Sequence, residues 1–165
     1  MPDSIVTIAE KKDEKFLRHK TEDFDFKKYT KKNISELISR MRASMRAAQG
    51  IGLSANQIGL TFKMFVAEVP GPKGGMKFYA VFNPKLEKVS SEKVAFEEGC
   101  LSIPLTYGTV KRPDRVTLVG FDKHGKPVKI KAWGLLARVF QHEVDHLNGT
   151  LYIDKAEEVK KAETK

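Results

Sequence analysis

A chain of 165 residues with 41% hydrophobic and 31% charged residues has the size and mix of a single folded domain, residues 1–165. Its net charge of +9 favours anionic partners, and its one cysteine excludes an internal disulfide. No apolar run approaches the ~18 residues that would span a bilayer, and the start has neither the apolar stretch of a secretory signal nor the acid-free composition of a transit peptide, so a cytoplasmic protein is expected.

Ile5 to Ile8 reads as a short strand or extended arm. Lys11 to Lys32 is highly charged and reads as surface loop, with a short strand suggested by the alternating Phe24 and Phe26. Asn33 has Glu36 three residues on, and Ile34, Leu37, Ile38, Met41, Met45 and Ala48 follow at helical spacing. A helix capped by Asn33 and ending at Gly50 is therefore predicted, its methionines serving as core. Next comes Gly50-Ile51-Gly52-Leu53-Ser54-Ala55-Asn56-Gln57-Ile58-Gly59, whose glycines at 50 and 52 would allow close backbone approach.

The middle has strand composition. Strands are predicted over Phe62 to Val69, Lys77 to Phe82, Val94 to Glu98, Val116 to Phe121 and Val128 to Ala132. Residues 70–75 form a loop, and Asp122-Lys123-His124-Gly125 joins the last two strands as a hairpin turn. His124 is thus an exposed turn residue and His19 lies in a charged segment, so neither is a candidate ligand. From Thr109 to Lys131, seven basic residues stand against Asp114 and Asp122, a net of +5 that could attract RNA or another polyanion. The segment Glu97-Glu98-Gly99-Cys100-Leu101-Ser102 holds the cysteine. A lone cysteine is more often a small buried hydrophobe than a ligand.

Leu135, Leu136, Val139, Phe140, Val144 and Leu147 make an apolar stripe, preceded by Gly134 and stopped by Asn148-Gly149, which predicts a core helix. Within it lies His142-Glu143-Val144-Asp145-His146. Positions i and i+4 share a helix face, so both imidazoles can reach one divalent cation with Glu143 beside them as a general base. Two histidines leave a tetrahedral cation short of a protein donor, and a Cys plus two His set would fill three positions. Spacing alone does not bring Cys100 to the helix. Residues 156–165 are expected as a frayed helix or tail. The whole reads as α+β, with antiparallel sheets around a central helix carrying the H-E-x-x-H motif.

The three segments, GIGLSANQ, EGCLS and QHEVDH, resemble in their order the signature motifs of the peptide deformylase family, over about Gly50 to Asp154 and including Val110 to Pro113. The departures are Ser54, where the family usually has alanine, and Lys11 to Arg18, where it usually has a proline before a Leu-Arg pair. The resemblance implies a hydrolase that removes the formyl group from the N-terminal formyl-methionine of nascent polypeptides. It implies Cys100, His142 and His146 as metal ligands, Glu143 as acid/base, and the Gln57 amide with the Leu101 N–H as oxyanion donors. Gly50, Ile51, Gly52 and Gly99 would line the path of an extended substrate and Val139 the pocket for its methionine. Glu98 and Arg112 would support the ligands. Ferrous iron is the native metal that the resemblance implies, with zinc, nickel or cobalt as substitutes; the ligand types alone suit zinc. A monomer is expected, with the basic stretch 109–131 offering contact with the ribosome. Two competing readings are a zinc endopeptidase, which would take a third ligand such as Asp154 downstream of the helix, and a degenerate relative that only binds RNA. Formyl-peptide and internal-bond assays separate them.

Overall fold

In the computed structural model, which describes residues 2–162, three helices and eight strands are laid out along the chain. The helices are α1 (Lys11–Leu17), α2 (Lys31–Ala47) and α3 (Gly134–Leu147). The strands are β1 (Gly52–Ser54), β2 (Met64–Pro70), β3 (Met76–Val89), β4 (Lys93–Cys100), β5 (Ile103–Pro113), β6 (Arg115–Phe121), β7 (Pro127–Trp133) and β8 (Ala156–Lys161). They form a five-stranded antiparallel sheet in the order β1-β2-β3-β6-β7 and a three-stranded one in the order β4-β5-β8. This is the α+β architecture with antiparallel sheets that the sequence predicted. No helix among the described residues is long and apolar enough to cross a membrane.

Alternation along β2 explains why its sequence is apolar on both sides. Phe65, Ala67 and Val69 face a cluster that includes Val139, Phe140 and Val144 of α3. Met64 and Val66 face Met41 and Met45 of α2 on the opposite side. The one charged residue in the strand, Glu68, is nearly buried and accepts hydrogen bonds from Arg42 and Arg46 of α2, which satisfies it. Helix α3 packs against strands of both sheets. It therefore carries its buried face to the junction where β4 and β5 meet the larger sheet.

Several expectations give way to local physics. Helix α2 starts three residues earlier than predicted. Thr30 is the cap, its hydroxyl accepting from the Asn33 N–H while the Asn33 side chain accepts from the Thr30 N–H, so Asn33 closes the capping box from inside the helix. The charged segment from Lys11 contains a helix, α1, that presents the wholly buried Leu17 to the interior. Ile5 to Ile8 is an extended arm, bonded through the Val6 N–H to Gln57 O and the Ile8 N–H to Ser102 O. The strand β5 escaped notice because Pro104, Gly108 and Pro113 punctuate it. Residues 156–161 are not a frayed helix or tail. They pair as β8 with β5, where Gly108 accommodates Ala156 across the ladder. The rest of the expected tail, 163–165, lies outside the described residues. Leu135 also leaves the predicted core stripe: it is 47% exposed.

The basic stretch 109–131 is not one face either. Thr109 to Pro113 belongs to β5 in the smaller sheet, and Arg112 there is buried, while the remainder runs through β6 and β7 of the larger sheet.

Candidate active site

Three side chains from two distant parts of the sequence converge on one point. Cys100 ends β4, and His142 and His146 sit one turn apart on α3. The Cys100 Sγ lies 3.1 Å from His146 Nε2, which lies 3.1 Å from His142 Nε2. The three donor atoms are all within 4.8 Å of one another. His142 Nδ1 is 3.0 Å from Glu98 Oε1, and a carboxylate only accepts, so the Nδ1 proton points at Glu98 and Nε2 faces the cluster, where a bound cation would take its lone pair.

The electrostatics fit a cation. Burial alone would push the Cys100 thiol up, but His146 and His142 outweigh it and hold it well below the usual range, which favours the thiolate. Burial would lower His142, yet Cys100 and Glu98 raise it to about 10. The pocket thus stabilises positive charge against a thiolate, which is what a divalent ion supplies. Two buried side-chain atoms have no hydrogen-bond partner among the described residues, Glu143 Oε2 and His146 Nδ1, and both belong to this cluster. One thiolate and two imidazoles make a donor set suited to iron, zinc, cobalt or nickel.

Glu98 is the hub beneath. It is 7% exposed and accepts from Arg112 Nε at 2.6 Å and Arg112 Nη2 at 3.0 Å. Arg112 also donates through Nη1 to Asp145, 2.9 Å away on α3. A residue that sequence reasoning missed completes the arrangement. Arg138 Nη1 donates to Glu98 Oε2 at 2.5 Å and to Val110 O, and its Nη2 donates to Val94 O, so it ties α3 to both β4 and β5. The signal was available, since Arg138 and His142 are four residues apart on one helix face. Burial would raise the Glu98 carboxyl, but His142 and Arg112 dominate and bring it to about 2. Its contribution to stability is present above its ordinary value of 4.5 and fades as pH falls through about 2.

Glu98→Ala should therefore weaken metal binding by roughly 10–100-fold, because His142 loses the acceptor that fixes its ring and two arginines lose their counter-charge. Chelator competition on folded protein measures this. Metal affinity equal to wild type would reduce Glu98 to a structural ion pair.

Glu143 lies 3% exposed beside the cluster, and burial pushes its carboxyl up to about 7 against the opposing pull of His142 and His146. Gly52 makes room for it: a Cβ there would sit 2.7 Å from Glu143 Oε1 and 3.1 Å from Val139 Cγ1. A Cβ on Gly50 would likewise meet Leu101 at 2.6 Å. The space beside both glycines is thus occupied by the protein's own side chains. Gln57 is buried with its amide oriented. Its Oε1 accepts from the Ser54 N–H at 3.0 Å, which turns Nε2 toward Ser102 Oγ (3.1 Å) and Cys100 Sγ (3.7 Å). Ser54 is also fully buried, and its hydroxyl lies 2.7 Å from Asn56 Oδ1. The Asn56 amide in turn donates to His146 O, linking this loop to α3.

These groups floor and wall a cleft of about 510 Å³. Of the residues singled out in the sequence, Gly50, Ile51, Gly52, Gln57, Glu98, Gly99, Leu101 and Val139 line it alongside Cys100, His142 and Glu143. His146 is enclosed behind them and Arg112 supports from below. Asp154, the downstream ligand that an endopeptidase reading needs, instead accepts from Arg18 and the Leu151 N–H.

A family model described as polypeptide deformylase matches residues 4–162. Peptide deformylase 1 of Streptomyces avermitilis is 42% identical over 125 residues, which cover 74% of this chain and 58% of that relative, so the chain spans less than two thirds of its length. Among solved structures, a probable peptide deformylase from Synechococcus phage S-SSM7 is similar at 40% identity and a TM-score of 0.81, covering 92% of this chain and 97% of that one. A class I type b peptide deformylase from Acinetobacter baumannii, solved with Met-Ala-Ser bound, is similar at 28% identity and a TM-score of 0.85, covering 94% and 98%.

Proposed function

The chain belongs to the polypeptide deformylase family, and from that premise we propose that it is a metal-dependent hydrolase releasing formate from N-formyl-methionyl nascent polypeptides. The observation that carries the reading is the Cys100, His142 and His146 donor cluster at the floor of a cleft, with the Glu143 carboxylate beside it. In this proposal the H-E-x-x-H helix, packed against both sheets, is the central metal-binding element of a single domain. The three donors hold one divalent ion, ferrous iron natively, with zinc, nickel or cobalt able to replace it. The protein acts as a cytoplasmic monomer and meets its substrates near the ribosome.

Bound, the cation would polarise the formyl oxygen and make water a better nucleophile. Glu143 takes a proton from the attacking water. As the C–N bond breaks, it delivers that proton to the departing amine nitrogen, leaving formate and a free N-terminus. The oxyanion that forms in between is met by the Gln57 Nε2–H, already aimed by Ser54, and by the Leu101 N–H; one such donor typically contributes ~10²–10³ in rate. The substrate backbone extends along Ile51 and Gly99, and its methionine side chain packs on Val139, which is buried on the cleft wall.

The test is formate release from formyl-Met-Ala-Ser, set against acetyl-Met-Ala-Ser and against cleavage of an internal peptide bond. A formyl carbon carries only hydrogen, so Leu101 can close on it, whereas an acetyl methyl adds volume at the tightest point. Turnover of the formyl peptide alone is expected. Equal rates on the acetyl peptide would overturn the narrow-site argument, and internal cleavage would restore the endopeptidase reading.

A further inference from the structure

The face of the five-stranded sheet that points away from α3 is only half covered. Helix α2 lies over the β1–β2 part of it, while among the described residues no α-helix lies over the β6–β7 part, which is covered at its Phe121 end by Phe26. Register fixes what stands there, because directly opposed residues on antiparallel strands project to the same side. Val116, Leu118 and Ala132 point inward to the α3 cluster. Their alternates point outward in rungs. Lys85, Val119 and Lys129 form one rung across β3, β6 and β7; Lys88, Thr117 and Lys131 form the next; Arg115 and Trp133 form the third.

All five basic side chains are exposed, and Trp133 is 70% exposed. The acid at these rungs is Glu87, which neutralises Lys129 at 3.2 Å. Among the described residues, Lys85, Lys88, Arg115 and Lys131 have no carboxylate partner. Same-face residues on a strand are roughly 6.6–6.8 Å apart and neighbouring strands roughly 4.8 Å apart, and a bulge between Leu86 and Lys88 brings Lys88 to the same side as Lys85, so four free cations share one patch with an indole at its end.

We propose that this face binds single-stranded nucleic acid. The cations are spread over three adjacent strands and can track a phosphate backbone, and Trp133 supplies a ring on which an unpaired base can stack. A second copy of this chain would bring like charge against like charge. An anionic membrane is a poorer fit, because stable anchoring needs a buried apolar face and Val119 is held down between lysines. The surface stands independently of the reaction proposed for the cleft, since its side chains point away from α3. It also differs from the stretch 109–131: Lys85 and Lys88 enter from β3 while Arg112 drops out.

The experiment is fluorescence anisotropy of the full chain with a labelled 20-nucleotide RNA of mixed sequence, titrated at several salt concentrations. Parallel titrations use a DNA strand of equal length, a duplex RNA, and phosphatidylserine vesicles. Salt-dependent binding of the RNA strand is expected, with the DNA strand comparable because neither stacking nor phosphate pairing reads the 2′-hydroxyl. Combined Lys85→Glu, Lys88→Glu and Lys131→Glu should lower the logarithmic salt slope by about 2. The matching glutamine triple removes the same three contacts and should lower the slope by a similar amount with a smaller loss of affinity, and it serves if the reversal unfolds. Trp133→Ala should weaken binding about tenfold while leaving the salt slope unchanged. Formate release from a short peptide should be unchanged in the lysine triples. Affinity insensitive to both triples, tighter binding to the duplex, or binding to vesicles but not to the RNA strand would each overturn the proposal.

Discussion

Replacing Glu143 with alanine is expected to leave the metal bound and to lower formate release by ~10²–10⁴, the usual share of a positioned proton-transfer group. The reason is positional. Glu143 adjoins His142 in sequence, but the donor atoms that converge are those of Cys100, His142 and His146, and the carboxylate lies beside them against Gly52. Among the described residues its Oε2 is buried without a hydrogen-bond partner, so removing the group deletes a desolvated polar group rather than a stabilising contact, and the variant should fold. The pH dependence follows. Burial lifts this carboxyl to about 7, and a general base must be ionised. Activity should therefore fall on the acid side, with a midpoint at or below about 7 because a bound cation draws the value down. Metal analysis and single-turnover formate release on the same sample are the measurements. Loss of metal from Glu143→Ala would make the carboxylate a ligand and end its assignment as the base.

The parts of this fold that could be read from sequence are those governed by short-range periodicity. The stripe Val139, Phe140, Val144 and Leu147 is buried as its spacing demands, and the β6–β7 hairpin sits where the turn residues place it. Long-range pairing was not legible. Nothing local to Ala156–Lys161, with its run of charges, signals a strand; it becomes one because β5 offers an open edge and Gly108 leaves room. Likewise α1 is too short to show a stripe of its own, and it exists to seat Leu17.

The candidate site divides along the same line. Residues that share one helix face, His142 and His146, were derivable from the 3.6-residue repeat. The placement of Cys100 beside them depends on β4 meeting α3, and that meeting is set by Glu98, which is bonded to Arg112, Arg138 and His142 together. Four polar groups at one junction, of which Glu98 and Arg112 are buried, would be costly unless each satisfied the others, so the network favours a single docking of β4 on α3. Removing any one member should loosen the approach of the thiolate more than it loosens the fold elsewhere.

Cys100→Ser should then have the larger effect on the metal, exceeding the roughly 10–100-fold weakening expected when Glu98 is removed. Serine is nearly isosteric, so β4 and the Glu98 contacts should persist and the variant should fold. Its hydroxyl, however, keeps its proton at neutral pH, whereas His146 and His142 lower the pKa of the thiol here and favour the thiolate. Two imidazoles four residues apart would be left as the whole protein donor set, one donor fewer than catalytic sites of this kind use. Protein purified with the variant should carry well under one metal per chain by elemental analysis and show no turnover, while its circular dichroism matches wild type. The comparison with Glu143→Ala separates the two roles: metal kept and proton transfer lost in one, metal lost in the other. Full occupancy and normal turnover in Cys100→Ser would return Cys100 to the role of a small buried hydrophobe and leave the ion held by the histidines with some other donor.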